Sequence, residues 1–81
     1  MVDKAILERT RKVIADLLKM PAAKVTDTAH MVKDLGMVSV QSVELIAALE
    51  EEFDVEIDLD EVAEIFTTQE AAEWIENHLN K

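Results

Sequence analysis

DLGMVSVQSVELIAALEEEF, residues 34–53, is the stretch that decides the fold of this 81-residue chain. Residues 40–53 predict a helix, because Leu, Glu and Ala, which are all good helix formers, dominate them. At about 100° per residue, one face of this helix collects bulky apolar side chains and is predicted to face the core. The side chains on that face are Leu45, Ile46, Leu49 and Phe53.

A second face of the same helix mixes small apolar residues with acids. The apolar members are Val40, Val43 and Ala47, and the acids are Glu44, Glu50, Glu51 and Asp54. A core face would not interleave so many carboxylates, because an unpaired buried charge is very costly. The pattern is typical of a docking surface, with apolar contacts in the middle and acids around them to meet Lys and Arg. The alternative is a wide core stripe with a solvated charged flank.

The chain before the central helix predicts one further helix and a long loop. Residues 4–19 show helical apolar spacing after Asp3, which is a suitable N-cap. Pro21 is expected to end this helix, because proline disfavours helical geometry at the preceding residue. Residues 21–38 then form a predicted loop, in which Gly36 suits a positive φ.

The chain after the central helix predicts a connector, a short helix and a last helix. Residues 55–59 alternate between apolar and acidic, but no second strand exists to pair with them, so an extended connector is predicted. A short helix follows near 60–65. Thr67 and Glu70 form a predicted capping box before a helix over about 68–79. The inward residues of that last helix are predicted to be Ala71, Ala72, Ile75 and Leu79.

These elements predict an all-α protein: an irregular four-helix bundle with a long loop between helices one and two and a short third helix. At 81 residues the chain is expected to be a single domain, 1–81. Apolar residues make up 49% of it, which excludes a disordered tail, and only 4% are aromatic, which predicts an aliphatic core. With one Gly and one Pro, the chain has too few of these turn-forming residues for a many-stranded β fold.

The net charge and its distribution limit the classes of molecule that the protein is expected to bind. The net charge is −10; residues 44–81 hold thirteen Asp and Glu against one Lys, whereas residues 1–43 hold seven Lys and Arg against five acids. Phosphate repulsion makes nucleic acid an unsuitable partner, and no apolar run approaches the roughly 18 residues of a membrane span. A basic protein partner is favoured, the alternative being that the acids serve solubility alone. A monomeric, cytoplasmic protein is expected.

No residue or motif in the sequence indicates a catalytic or a metal-binding site. Cys is absent, and neither a catalytic triad nor a Gly-rich phosphate loop can be found. The acidic run over 54–60 is not a calcium loop, because Leu59 and Ile65 stand where such a loop needs Gly and Glu. Ser39, at or beside the start of the central helix, is either its N-cap or a modification site. Ser42 lies on the core face.

The motif around Ser39 resembles that of the acyl carrier proteins. The family pattern is Asp-Leu-Gly-x-Asp-Ser-Leu, followed by Val-Glu-Leu and Leu-Glu-x-x-Phe. It matches DLGMVSV at 34–40, VEL at 43–45 and LEEEF at 49–53. The similarity continues to the last helix and covers nearly the whole chain. It is specific, because motif, spacing and helical layout agree independently.

The resemblance implies a carrier with no catalytic activity of its own. Ser39 would hold a 4′-phosphopantetheine arm, whose thiol presents acyl groups as thioesters to fatty-acid, lipid or polyketide-type enzymes. The implied partners are a phosphopantetheinyl transferase and acyl-processing enzymes with basic patches. They would meet the acids Glu44, Glu50 and Glu51 and the apolar residues Val40, Val43 and Ala47. An acyl chain would lie between the second and third helices, lined by Leu49, Ile57, Val62 and Ile65.

Three residues depart from the family pattern. Val38 replaces the usual Asp before the serine, Val40 replaces Leu, and Gln41 stands where many members have an acid. The lost carboxylate at position 38 predicts poor loading by a general transferase and hence a specialised carrier; the competing interpretation is that Val38 packs under the loop. The alternative function is a carrier-fold acidic interaction protein that is never pantetheinylated. A calcium-responsive protein and an aminoacyl carrier are further alternatives.

Overall fold

The computed structural model describes residues 2–62 and 65–79, apart from the side chains of Leu59 and Val62. Within that part the protein is all-α, as predicted, and no β-strand occurs. The helices are α1 (Lys4–Leu18), α2 (Ser39–Phe53), α3 (Leu59–Val62) and α4 (Thr68–Leu79), and a short 3₁₀ helix covers Ala22–Lys24. The short helix predicted at 60–65 therefore begins one residue earlier, and Ile65 is not helical.

α1 begins as predicted and ends earlier than predicted. The Asp3 carboxylate caps the first turn by accepting a hydrogen bond from the N–H two residues on, at 2.8 Å. The helix ends at Leu18, because Lys19 adopts the left-handed conformation with φ 56° and the next N–H bonds back to the Ala15 carbonyl. The helix therefore ends one residue before the predicted end at residue 19, and the left-handed Lys19, rather than Pro21, terminates it.

α1 packs against both α2 and α4, and an aliphatic core fills the space between them. The predicted inward face of α2 is confirmed for Leu45, Leu49 and Phe53, which are buried, whereas Ile46 is half-buried. The inward residues of α4 are buried as predicted at Ala71, Ala72 and Ile75. Leu79 is 43% exposed, against the prediction, because it lies at the very end of α4, one turn past the last buried residue.

The segment 19–38, which joins α1 to α2, is held by backbone hydrogen bonds. The Met31 N–H donates to the Phe66 carbonyl at 2.8 Å, which ties the segment to the residues just before α4. His30 Nδ1 accepts from the two N–H groups of the following turn at 3.2 and 3.1 Å, and the His30 ring stacks on Phe66. Gly36 has the predicted positive φ, 73°, close to the entry into α2. These contacts fix the direction in which the chain enters α2.

The predicted capping box at the start of α4 is confirmed. The Thr67 N–H donates to Glu70 Oε1 at 2.9 Å, and the Glu70 N–H donates to Thr67 Oγ1 at 3.2 Å. The Phe66 N–H also donates to Glu70 Oε1, at 3.1 Å. The backbone hydrogen bonds from Phe66 and then Thr67 hold the pKa of Glu70 below its ordinary value of 4.5.

The far end of α2 is tied to α1 through Arg9. Its Nε donates to Glu52 Oε2 at 2.9 Å, and its Nη2 donates to the Glu52 carbonyl at 2.6 Å. The guanidinium also lies 4.4 Å from the centre of the Phe53 ring, a cation–π contact. One side chain therefore neutralises an acid of α2 and satisfies one of its last carbonyl groups.

Candidate functional site

Ser39 is the first residue of α2, and its side chain is exposed. The N-cap is Val38, whose backbone is extended (φ −101°, ψ 166°) and whose side chain has no acceptor. Ser39 is therefore not the N-cap, and that simple interpretation of it is wrong. Half of a capping box remains, because Gln41 Oε1 accepts from the Val38 N–H at 3.0 Å.

The surroundings of Ser39 fit a covalently attached phosphate ester. Its hydroxyl is free of a capping role, and it lies in the first turn of a 15-residue helix, where unpaired backbone N–H groups favour negative charge. No acid occurs in the first turn of α2 to repel a phosphate.

The proposed docking residues lie where the helical periodicity placed them. Val40 is 65% exposed and Val43 61%, and Ala47, Glu44 and Glu51 are exposed as well. These side chains share one face of α2, which in the described structure does not serve the core. The alternative of a wide core stripe is wrong, because large apolar side chains on that face are in solvent.

Val38 extends this exposed apolar surface to the other side of Ser39. It is 55% exposed, so the interpretation that it packs under the loop is wrong. Val38, Val40 and Val43 thus flank the serine with aliphatic groups, and the acids begin only at Glu44. The face is apolar near Ser39 and acidic farther along α2.

Glu50 differs from the other acids of α2, because its carboxylate is already engaged within the protein. It is half-buried, and its Oε2 accepts a hydrogen bond from the Ile57 N–H at 2.9 Å. Side-chain periodicity did not reveal this contact, since the donor is a backbone group in the connector. Residues 55–58 of that connector are non-helical, in agreement with the prediction.

An apolar cavity of about 100 Å³ lies behind α2. Three of the four residues predicted to surround an acyl chain line it: Leu49, Ile57 and Ile65. The side chain of the fourth, Val62, lies outside the described residues. The other eight lining residues come from α2, α4 and the segment before α2, namely Met31, Met37, Ser42, Leu45, Ile46, Ala71, Trp74 and Ile75.

Sequence reasoning missed several of these walls. On α4, Ala71, Trp74 and Ile75 have the spacing of one helical face, and that signal could have identified Trp74. Met31 and Met37 come from a non-helical segment, where no periodicity marks the inward residues. Ser42 is half-buried and lines the cavity, in agreement with its predicted inward orientation.

Trp74 lines the cavity and also contacts the ring of His78. The two rings stack with centroids 3.9 Å apart and planes inclined by 19°. Both side chains are half-buried. The indole therefore forms part of the cavity wall while its ring is covered by an imidazole.

Neither a metal centre nor a membrane span appears in the described part of the chain. Residues 2–62 and 65–79 hold no group of three or more His, Asp or Glu side chains arranged to bind a metal ion. None of the helices described here combines the length and apolarity needed to cross a membrane.

Comparison with known protein families identifies a match over most of the chain. Residues 8–75 match the family model described as the phosphopantetheine attachment site. The match covers most of the chain, from α1 into α4, and includes the exposed serine at the start of α2.

Proposed function

The chain belongs to the phosphopantetheine-attachment family, whose members carry 4′-phosphopantetheine covalently, and we propose that Ser39 is the attachment residue. The exposed hydroxyl in the first turn of α2 supports this assignment, because the helix N-terminus stabilises the phosphodiester. Ser42 does not suit the role, since it is half-buried and faces the cavity. The attached arm supplies a thiol on which acyl groups are held as thioesters.

We infer that this carrier transports aliphatic acyl groups for fatty-acid, lipid or polyketide-type enzymes. The observation that carries this inference is the apolar cavity, whose wall at Ser42 lies one helical turn along α2 from Ser39. A chain attached through Ser39 can fold back into this cavity and escape water. Leu49, Ile57, Val62 and Ile65 remain the proposed contacts of the chain.

The cavity is too small to hold a long acyl chain unless it enlarges. Its 100 Å³ is below the roughly 150 Å³ of an apolar cavity that accommodates a single benzene molecule. Two of its walls, Met31 and Met37, are methionines, whose flexible side chains repack readily around a new occupant. The proposed cavity therefore accepts a few carbons as it stands and more after repacking.

The proposed partners are a phosphopantetheinyl transferase and acyl-processing enzymes with basic patches. Apolar contact with Val40, Val43 and Ala47 supplies a water-excluding centre, and charge at Glu44, Glu50 and Glu51 accelerates encounter. The ion pairs found among the described residues do not involve Glu44, Glu50 or Glu51, so we propose that the cations for these acids come from the partner.

The proposed architecture is that of a monomeric, single-domain helical bundle. We propose that the helices form the irregular four-helix bundle of a single domain over 1–81, with the long segment 19–38 between α1 and α2. The protein acts as a monomer and presents its cargo to enzymes without catalysing a reaction itself. The packing of α1 on α2 and α4 supports this arrangement.

Attachment is tested by incubating the chain with coenzyme A and a transferase and weighing the product. We expect one phosphopantetheine on the native chain, none on Ser39→Ala, and one on the matched control Ser42→Ala. Stability of Ser39→Ala should fall by less than about 1 kcal/mol, because the serine does not cap the helix. Attachment that persists in Ser39→Ala would overturn the assignment.

A second function is favoured by one observation, the exposed Val38 in place of an acid beside the serine. A carrier fold that binds basic partners but is never modified has no need of a carboxylate there. Mass spectrometry of the protein from its native host separates the two functions. An unmodified chain under all growth conditions would favour the interaction protein.

A further inference from the structure

Glu50 and Ile57 connect the two halves of the proposed site. Glu50, which is half-buried, belongs to α2 and to the proposed docking surface, and Ile57 lines the apolar cavity. The hydrogen bond from the Ile57 N–H to Glu50 Oε2, 2.9 Å long and partly buried, holds the connector against α2. A second bond, from the Val55 N–H to the Glu50 carbonyl at 3.2 Å, secures the start of the connector.

We propose that Glu50 is a latch, through which an arginine of a basic partner protein opens the cavity wall at Ile57. This proposal rests on the proposed carrier function, because the cavity then holds the acyl cargo that the partner must receive. Glu50 acts as a positioning residue: it touches neither the attached arm nor the cargo and works through Ile57.

The charges around Glu50 favour a partner's cation over one of the chain's own. Its neighbours Glu51, Glu52 and Asp54 are all acidic. The ion pairs found among the described residues join Arg9 to Glu52 and Arg11 to two acids outside α2, so none of them neutralises Glu50. A guanidinium arriving at this end of α2 therefore meets a concentrated negative field.

Arginine is better suited than lysine to displace the Ile57 N–H from the Glu50 carboxylate. A guanidinium binds a carboxylate in a bidentate manner, which engages both oxygens and so competes with the Ile57 N–H for Oε2. An ammonium is a point charge, which can bind the other oxygen and leave the backbone hydrogen bond in place. Loss of this bond frees the backbone at Ile57, whose side chain is only half-buried, to move away from the cavity.

The latch is tested on the unmodified chain by the hydrogen-exchange rate of the Ile57 amide, measured by NMR. Glu50→Ala removes the acceptor, and we expect exchange to become faster by about tenfold or more, the scale of a hydrogen bond to a charged group. Glu50→Gln retains an acceptor oxygen, so exchange should stay close to native. Glu73→Ala removes the same charge from an exposed position on α4, outside the proposed docking surface, and serves as the matched control, with no change expected.

Coupling to a partner is tested with hexa-arginine as the probe. The peptide should accelerate Ile57 exchange in the native chain and in Glu73→Ala, but not in Glu50→Gln, which has lost the charge. Hexalysine should accelerate it less. Equal effects of the two peptides, or no effect of hexa-arginine at saturation, would overturn the latch.

The connection to the cavity is tested with free octanol, which needs no attachment at Ser39. Hexa-arginine and Glu50→Ala should each speed the release of octanol, observed as NMR exchange broadening, whereas Glu73→Ala should not. Release rates indifferent to both would contradict the proposal. Failure of the carrier function would appear separately, as absence of phosphopantetheine by mass, so the two failures are distinguishable.

Discussion

Replacing Val38 by aspartate should both stabilise the protein and speed its modification. Val38 is the N-cap of α2, its backbone is extended as a capping residue requires, and its side chain makes no capping bond. An aspartate there can accept from the Gln41 N–H, while Gln41 Oε1 already accepts from the N–H of residue 38 at 3.0 Å. The substitution therefore completes a capping box whose other half exists.

The magnitude follows from the cap, the helix dipole and the lost apolar contact. A new cap contributes about 1 kcal/mol and a carboxylate in the first turn about 0.3–1 kcal/mol. Against this, Val38 is 55% exposed, so less than half of the roughly 1.5 kcal/mol for full burial of a valine is lost. The net gain of about 0.6–1.3 kcal/mol corresponds to a rise in melting temperature of about 2–10 °C for a domain of this size.

Two assays on Val38→Asp measure the effect: thermal unfolding, and the rate of phosphopantetheine attachment by a general transferase. We expect the rate to rise about tenfold or more, the equivalent of one charge-assisted hydrogen bond to a basic enzyme. Val40→Asp is the matched control, since it adds the same charge in the same turn at a position that cannot cap. A lower melting temperature with unchanged loading would refute the reasoning, and equal loading alone would leave no basis for a specialised carrier.

Three further perturbations test other parts of the structure. Charge reversal at Glu44 and Glu51 should weaken binding to a basic partner, mainly through slower association, and added salt should have the same effect. The circular dichroism spectrum should not change. An affinity that responds neither to charge reversal nor to salt would contradict the docking surface. Because folding lowers the pKa of Glu70, its carboxylate stabilises the fold above the ordinary pKa of 4.5, and this stabilisation is lost as the pH falls below that value. Between neutral and acid pH, the unfolding free energy measured with urea should therefore fall more for the native chain than for Glu70→Gln. The difference should be less than about 1 kcal/mol, because the group is exposed. Leu49→Ala should cost about 2–5 kcal/mol of unfolding free energy, because the side chain is buried beside the cavity; a smaller loss would mean that the cavity wall collapses freely.

Features that depend on neighbouring residues could be predicted from the sequence. The start of α4 followed from the pairing of Thr67 with Glu70, because a capping box is a contact between residues three apart. The buried face of α2 followed from helical spacing. Position along one helix determined both, so no knowledge of the tertiary structure was needed.

Features that depend on backbone conformation or on distant contacts could not be predicted. α1 stops at a left-handed Lys19, and lysine carries no signal for that conformation. The capping position fell on Val38 because of its φ and ψ, although serine is the better capping residue. The bond between Glu50 and the Ile57 N–H joins a side chain to a backbone group seven residues away, which no side-chain pattern encodes.

The position of Trp74 gives this protein an optical reporter of its own. The chain contains one tryptophan and no tyrosine, so its near-ultraviolet emission arises from a single indole. That indole forms part of the cavity wall and stacks on His78 at 3.9 Å. Entry or departure of the proposed acyl cargo would change the polarity around the indole, and emission wavelength follows polarity. The filling of the cavity can thus be followed in real time by fluorescence, without a label and without altering any residue.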